Sequence, residues 1–342
     1  MLRIRLSVLA LAGLCVVSAS RAATLVEDFS TNPQAGGWQE FGDTNLFNWN
    51  STNGTLEVTW DSTHSNSYFY HPLGLQLTRY DDFSIEFDLR LSDIASGVEP
   101  GKTGPLEIGI GLLNLAQATS TNFMRGAYGG APNVAEFDYY ADGYYEDGGV
   151  IYPSPASTVP SFVPGTDPHH YAPVYVSVYE TELPTNQTVH VRLAYTGGDQ
   201  TARLSVTTNG VLLSQLPPQV LSDSGNSQVT PADNFRVDTF SISSYSSDGD
   251  YFDSVLAHGA VDNLVVQAAL VPVSEIAGAF TAGGNWQAQF FTHTNWLYTL
   301  ERTLDFKSWA SVSATLRGTE DLMTLPDTNS LPAQAFYRVR AN

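Results

Sequence analysis

Apolar and polar residues alternate along most of this chain, which is the pattern of β-strands with one face in a core and the other in water. In residues 83–91 every odd position is apolar and every even position is polar. Comparable runs occur at 55–60, 106–113, 134–140, 174–179, 189–195, 202–207, 235–241 and 261–266. No segment has a convincing 3.6-residue period, so the pattern predicts two stacked antiparallel sheets built from roughly a dozen strands.

Turn residues divide these runs. Residues 196–199, Thr-Gly-Gly-Asp, separate two of them and predict a hairpin, and Asn209-Gly210 predicts a second tight turn. By contrast, 144–173 is rich in Pro, Gly, Ser and Tyr and lacks alternation. This segment is predicted to be a long loop, which is either functional or an insertion.

The N-terminal residues predict export. Residues 1–5 include two arginines, 6–19 are apolar, and Ser20-Arg21-Ala22 offers a small-x-small cleavage site. Together they are typical of a secretory signal over residues 1–22. The apolar run is shorter than the roughly 20 residues that span a bilayer. The protein is therefore expected to be secreted or to lie at the cell surface.

A stretch of small residues at 269–284 predicts a linker between two units, because domain boundaries fall in such segments. The unit before it, 23–268, holds the longer strand patterns. The unit after it, 285–342, holds five short ones and is predicted to be a second, small β-sandwich. Those short patterns lie at 286–291, 297–301, 309–313, 322–325 and 336–339.

Charge and cysteine content narrow the possible partners. The 342 residues include 15 Lys and Arg against 35 Asp and Glu, a net charge of −20. Such a field repels a phosphate backbone, so nucleic acid is not expected as a partner. It also keeps an exported protein soluble. Cys15, the one cysteine, lies in the signal, so the mature chain can form neither a disulfide nor a thiolate metal site.

The main cluster of candidate chemistry lies in and just after 134–140. Glu136, Asp138 and Tyr140 occupy alternate positions, so they project from one face of a strand, and Asp142 follows. Two carboxylates on one face repel each other unless solvent or a cation relieves the repulsion. The cluster is therefore either a solvated strand face or a calcium site, since calcium accepts about 6–8 oxygen ligands in irregular geometry.

The run from Asn133 to Asp142 resembles the metal-binding strand of legume lectins and their concanavalin A-like relatives, in which Glu-x-Asp-x-aromatic-x-Asn/Asp carries calcium and a transition metal. Residues 107–113 look like another strand of that family, and 189–195 with 204–206 look like its late hairpin. The resemblance implies an all-β, concanavalin A-like jelly-roll sandwich. The metal ligands that it implies are Glu136, Asp138, Tyr140, Asp142 and Asp147. Residues 286–340 resemble a C-terminal module of exported planctomycete and verrucomicrobial proteins.

Two departures from that superfamily bear on function. Legume lectins place an Asp that holds both sugar and calcium loop before a Gly-Leu pair, but here Ile110 precedes Gly111. The related laminarinase-type glucanases end the comparable strand motif with a second Glu, and this chain has Tyr140 or Ala141 there. A retaining glycosidase needs two carboxyl groups about 5–5.5 Å apart. No catalytic residue is therefore predicted.

The leading functional hypothesis is an exported, non-catalytic module that binds glycans or another extracellular polymer, with calcium as its cofactor. Tyr144 and Tyr145 are the predicted ligand-binding residues, because they lie beside acidic residues and glycines and because sugar rings stack on aromatic side chains. A structural or adhesive surface protein is one alternative, and a glucanase-type polysaccharide hydrolase is another. Fold alone does not separate these three.

Overall fold

The computed structural model describes residues 22–121, 123, 125, 133–144, 150–151, 154–159, 174–177, 181–199, 201–215, 219–220, 235–248, 252–329, 332 and 334–342. Within them the chain forms two compact units, Ala22–Ala269 and Leu270–Asn342. Both units consist almost entirely of strands. Among the residues described, no helix has the length and apolar character needed to cross a membrane.

The larger unit contains nineteen described strands and three short helical segments. In chain order the strands are β1 (Ala22–Glu27), β2 (Gln39–Phe41), β3 (Phe47–Asn50), β4 (Thr55–Asp61), β5 (Ser67–Thr78), β6 (Asp82–Ser96), β7 (Gly104–Pro105), β8 (Ile108–Leu113), β9 (Val134–Tyr140), β10 (Gly143–Tyr144), β11 (Val150–Ile151), β12 (Ser154–Val159), β13 (Val174–Ser177), β14 (Val189–Thr196), β15 (Thr201–Thr208), β16 (Val211–Gln215), β17 (Gln219–Val220), β18 (Arg236–Ser244) and β19 (Asp253–Ala269). The helical segments are two 3-10 turns, Pro33–Gly36 and Thr44–Leu46, and α1 (Leu115–Ala118).

Two large sheets make up this unit. The ten-stranded sheet follows the order β16-β15-β14-β6-β19-β4-β3, with β1 and β7 on β19 and β17 on β15. The seven-stranded sheet follows the order β13-β12-β9-β8-β18-β5-β2. Their described pairings are antiparallel apart from the short parallel contact of β7 with β19. The predicted all-β class with two antiparallel sheets is confirmed.

The alternating sequence of β6 explains how the sheets meet. Its odd positions, apolar in sequence, are buried along 83–91. Phe87 among them contacts Phe137 of β9 with ring centroids 5.8 Å apart. The odd positions of the two strands therefore face each other across the core, as expected when two sheets bury their apolar faces together.

The two predicted turns are present, for different physical reasons. Asn209 and Gly210 join β15 to β16 with φ of 48° and 74°, the left-handed pair that a two-residue hairpin requires. In the turn between β14 and β15, the reason for Gly197 is instead its close contact with the backbone of Tyr80. A Cβ at Gly197 would lie 2.1 Å from the carbonyl oxygen of Tyr80, so no larger residue fits there.

Two segments that are predicted to be irregular contain strands. The predicted loop 144–173 contains β12, which pairs with both β9 and β13. Its sequence, Ser-Pro-Ala-Ser-Thr-Val, has little apolar character, and backbone pairing on both sides does not require any. The predicted linker 269–284 contains a further strand, Ser274–Phe280, whose small residues allow Trp286 to lie over Gly278.

The smaller unit consists of seven described strands in two sheets. They are β20 (Ser274–Phe280), β21 (Trp286–Phe291), β22 (Leu297–Thr303), β23 (Ala310–Ser311), β24 (Leu316–Arg317), β25 (Leu322–Pro326) and β26 (Phe336–Ala341). One sheet has the order β20-β21-β25, and the other places β23, β24 and β26 around β22. Their shared core contains Ala288, Phe290, Tyr298, Leu300, Val312, Leu325 and Val339.

Candidate functional site

The candidate site lies on the outer face of the seven-stranded sheet, the face turned away from the ten-stranded sheet. Phe137 points into the core, so Glu136 and Asp138 on either side of it point to the outer face. On the neighbouring strand β8, Gly111 lies opposite Glu136 and Gly109 lies opposite Asp138. Sheet register thus brings two carboxylates next to two positions without side chains.

This part of the outer face is buried. All seven residues of β9 are buried, with Glu136 1% and Asp138 0% exposed. The described residues between Leu115 and Arg125 cover them, and two hydrogen bonds hold this segment in place. The hydroxyl of Tyr68 donates to the carbonyl of Ala118 at 3.1 Å, and the amide of Asn66 donates to the carbonyl of Phe123 at 3.2 Å. The interpretation of Glu136 and Asp138 as a solvated strand face is therefore wrong.

Arg125, which this covering segment carries, supplies the counter-charge. Its Nε donates to Oε1 of Glu136 at 2.8 Å, and its Nη2 lies 2.7 Å from the same oxygen and 2.9 Å from Oδ1 of Asp138. Its Nη1 lies 3.3 Å from Oε1 of Glu107, just before β8. All four side chains are at most 2% exposed. Buried charges persist in a fold when they are paired in this way.

Three acids around one base hold that base in its charged form. Burial alone would lower the pKa of Arg125, but the carboxylates of Asp138, Glu136 and Glu107 together raise it well above its ordinary value. The guanidinium is therefore a permanent cation at the centre of the cluster.

Tyr245 completes the cluster from the other side. Its hydroxyl donates to Oε2 of Glu136 at 2.7 Å, and its ring centroid lies 5.6 Å from Cζ of Arg125. Burial first, and then the charge of Glu136, raise the pKa of Tyr245, so the hydroxyl remains a donor. The ring occupies space that Gly109 leaves open, since a Cβ there would lie 2.6 Å from it. Both oxygens of Glu136 are thus engaged within the protein.

The predicted calcium ligands do not fit a calcium ion at this strand. Calcium needs oxygens at about 2.3–2.6 Å, but nitrogens of Arg125 face the carboxylates of Glu136 and Asp138. Asp142 is exposed beyond the end of β9, and Asp147 lies outside the described residues. Within the described ranges, no three His, Cys, Asp or Glu residues are grouped so that they could hold a metal ion.

Tyr140, the remaining predicted ligand, is 8% exposed at the end of β9. The predicted ligand-binding tyrosines are not described in full. Tyr144 belongs to β10, whose side chains lie outside the description, and Tyr145 lies outside the described residues altogether.

Aromatic side chains do reach solvent at the other edge of the outer face. Phe41 of β2 is 37% exposed and stacks on the buried Tyr68, with centroids 5.6 Å apart and an interplanar angle of 16°. Beside it the hydroxyl of Tyr70 donates to Oε1 of the exposed Gln39 at 3.0 Å. We call Gln39, Phe41 and Tyr70 the β2–β5 patch. Sequence alternation did not reveal it, because β2 has only three residues.

Comparison with known proteins finds similarity only among solved structures. No protein-family model matches the chain, and no curated protein matches it. A legume lectin-like domain from Entamoeba histolytica is similar over 72% of this chain and 97% of that chain, with 12% identity and a TM-score of 0.41. Lectin II from Ulex europaeus is similar over 74% and 100%, with 12% identity and a TM-score of 0.45.

Peanut lectin is similar over 72% of this chain and 99% of that chain, with 14% identity and a TM-score of 0.40. These are lectins or lectin-like domains of the kind that the strand motif resembles. At such scores no ligand, metal or residue role passes from them to this chain.

Proposed function

We propose that the unit Ala22–Ala269 is an exported, non-catalytic module that binds glycans or another extracellular polymer at the β2–β5 patch. The observation that carries the proposal is the engagement of Glu136 and Asp138 by Arg125. It leaves the outer face with a filled, buried centre and an exposed aromatic edge.

The non-catalytic part rests on access and chemistry. Glycosidases use two carboxyl groups that flank the scissile bond, one as acid and the other as nucleophile or base. Glu136 has one oxygen on Arg125 and the other on Tyr245, and Asp138 is fully buried against the same guanidinium. Neither carboxyl group can reach a sugar while Arg125 is in place.

The binding part rests on what the β2–β5 patch offers. Sugar rings pack apolar C–H faces on aromatic rings and hydrogen-bond through their hydroxyls. Phe41 presents a ring that its stacking on Tyr68 holds in place, and Gln39 with Tyr70 presents an amide and a hydroxyl. Groups held before binding lose little conformational freedom when the ligand arrives.

Calcium assistance, which the strand motif implies, is not part of the proposal at Glu136 and Asp138. Arg125 already supplies a positive charge there. Binding is therefore expected to be equal in calcium and in chelator. A calcium-dependent affinity that Asp138→Asn abolishes would contradict this.

The test starts with a polysaccharide array and continues with titration calorimetry on the best ligand. Phe41→Ala is expected to weaken binding about tenfold or more, since a lost stacking contact of about 1.4 kcal/mol has that effect. Phe252→Ala is the matched control, because Phe252 is another Phe of this unit with similar exposure, 41% against 37%. Equal affinities for the two variants would refute the β2–β5 patch as the binding surface.

The enzyme alternative has its own test. Incubation of β-glucans with the protein is expected to release no sugar. Release that disappears in Glu136→Gln would establish the hydrolase instead. Export is tested by N-terminal sequencing of the secreted chain, which should begin near Ala23.

A structural or adhesive protein is the second candidate function. It is favoured by one observation, the solvent-exposed apolar strand β20 in the smaller unit.

A further inference from the structure

Strand β20 is an open edge of the smaller unit. Within the described residues its sheet has the order β20-β21-β25, so one side of β20 has no neighbouring strand there. Residues 276–280, Ile-Ala-Gly-Ala-Phe, carry no charge and are all exposed. Ile276 and Phe280 are each 55% exposed. An open, apolar, uncharged edge of this kind is a template for pairing with another strand.

Natural edge strands usually block such pairing with charges, prolines, bulges or short length. β25, at the other edge of the same sheet, ends at Pro326. β20 has a bulge only at its start, where Glu275 has φ of 56° and the register with β21 shifts. From Ala277 to Phe280 the strand is regular, and nothing in its sequence opposes a partner.

The sequence of this edge suits a second copy of itself. Around Gly278 it reads large, small, glycine, small, large in either direction. In an antiparallel pair with a two-fold axis at Gly278, Ile276 would meet Phe280 of the second copy and Ala277 would meet Ala279. A two-fold interface is self-complementary in this way by definition.

Charge also favours this unit as the place of contact. Leu270–Asn342 carries 5 Lys and Arg against 6 Asp and Glu, a net charge of −1. Ala22–Ala269 carries 7 against 29, a net charge of −22, so two of the larger units repel each other. An interface between copies meets the least repulsion in the smaller unit.

We propose that β20 pairs antiparallel with β20 of a second copy, with Gly278 on the two-fold axis. The three-stranded sheets of two chains then become one continuous sheet. Ile276 and Phe280 gain cross-strand neighbours, and side-chain pairs of this kind stabilise paired strands. The chain beginning at Ala23 is expected to be a dimer in concentration-dependent equilibrium with monomer.

Two double variants test the register. Ala277→Lys with Ala279→Lys places lysines opposite lysines across the axis, and should give a monomer at every concentration. Ala277→Glu with Ala279→Lys places each Glu opposite a Lys, and should dimerise again, more weakly in high salt. Both residues lie opposite Gln289 and Gln287 of β21, away from the core, so both variants should fold. Analytical ultracentrifugation measures the association and circular dichroism the fold.

The control is Gln289→Lys, which adds one lysine at an exposed position of the inner strand β21. It should leave the dimer unchanged. A wild-type chain that stays monomeric throughout, or two double variants that associate equally, would overturn the proposal.

A second measurement does not depend on folding of the charged variants. The chain has no cysteine after Cys15, so single cysteines can be introduced cleanly. An equimolar mixture of Ala277→Cys and Ala279→Cys chains should oxidise mainly to the mixed disulfide dimer, because only that combination brings the two sulfurs opposite each other. Cross-linking at equal rates in the mixture and in each variant alone would contradict the proposed register.

Discussion

Two buried ion clusters, one in each unit, combine carboxylates and bases in opposite proportions. In the larger unit, with 7 basic residues against 29 acidic ones, one guanidinium serves three acids. Arg125, 2% exposed, faces Glu107, Glu136 and Asp138, none of which is more than 1% exposed. Arg125 is thus a cation that all three carboxylates share.

The smaller unit has 5 basic residues against 6 acidic ones, and in its cluster at Glu301 two bases serve one acid. Glu301, 4% exposed, has one oxygen 2.7 Å from Nη2 of Arg338 and the other 3.0 Å from Nη1 of Arg340. Both arginines are more than 40% exposed, so water can replace a lost partner. We therefore expect a buried carboxylate to be most sensitive to mutation when it has a single cationic partner and that cation is itself buried.

The largest effect is expected from Arg125→Met, which keeps the length of the side chain and removes its charge. Three buried carboxylates would then lack their cation. Removal of one partner from a buried ion pair costs about 3–5 kcal/mol of stability. Hydrogen exchange along a urea series measures this separately for each unit, and the loss should be confined to peptides of Ala22–Ala269.

Neutralising the acids should reverse that loss. Arg125→Met combined with Glu136→Gln and Asp138→Asn is expected to recover more than half of the stability, because fewer buried charges remain unpaired. If the triple variant is less stable than Arg125→Met alone, the carboxylates are held by something other than Arg125, and the comparison between the units fails.

The next largest effect is expected from Gly111→Ala. Its Cβ would lie 2.4 Å from the carbonyl oxygen of Ala135 and 2.5 Å from Cβ of Glu136, so β8 and β9 would have to separate. Overpacking of this kind costs about 1–3 kcal/mol. Gly198→Ala is the matched control, since a Cβ there meets nothing within 4 Å, and it should change stability by less than about 0.5 kcal/mol. Equal losses in the urea series would show that strand spacing does not position Glu136.

Which strands and site residues can be predicted from the sequence depends on whether the residues that interact are close together in the chain. β6, β9 and β21 follow alternation closely, because each strand has a buried face whose apolar residues are local in sequence. β12 and β20 were missed because backbone pairing, which leaves no trace in side-chain polarity, defines them. Strand periodicity placed Glu136 and Asp138 on one face.

Repulsion between those two carboxylates also implied either solvent or a cation between them. The sequence did not indicate which cation lies between them. Arg125 belongs to the covering segment, which lies outside every predicted strand. Glu107 belongs to a different predicted strand, 106–113. The one indication in the sequence is that basic residues are scarce: a unit with 7 basic and 29 acidic residues has few cations to bury. Only the fold shows that one of them lies between Glu136 and Asp138.

A smaller effect is expected from Glu301→Gln in the smaller unit. The amide keeps one acceptor for the two arginines, and both can be hydrated instead. The loss should be about 1 kcal/mol, the value of an ordinary hydrogen bond. It should be confined to peptides of Leu270–Asn342 in the same urea series. A loss as large as that of Arg125→Met would show that exposure of the cation is not what separates the two clusters.

The smallest effect is expected from Arg340→Ala. This side chain is 45% exposed, and its removal leaves Glu301 with both bonds from Arg338, at 2.8 Å from Nε and 2.7 Å from Nη2. Arg338 is itself held, because its guanidinium lies 4.2 Å from the ring centroid of Trp309. Because its cation is exposed, this pair is expected to contribute about as much as a surface pair, about 0.2–1 kcal/mol, and salt should screen it. The measured loss should therefore be a few tenths of a kcal/mol in low salt and should vanish in high salt. Arg338→Ala is the control, since it removes two bonds to Glu301 and the contact with Trp309, and should cost more. If Arg340→Ala costs as much as Arg338→Ala, Glu301 needs both bases, and the smaller unit is no more tolerant of a lost cation than the larger one.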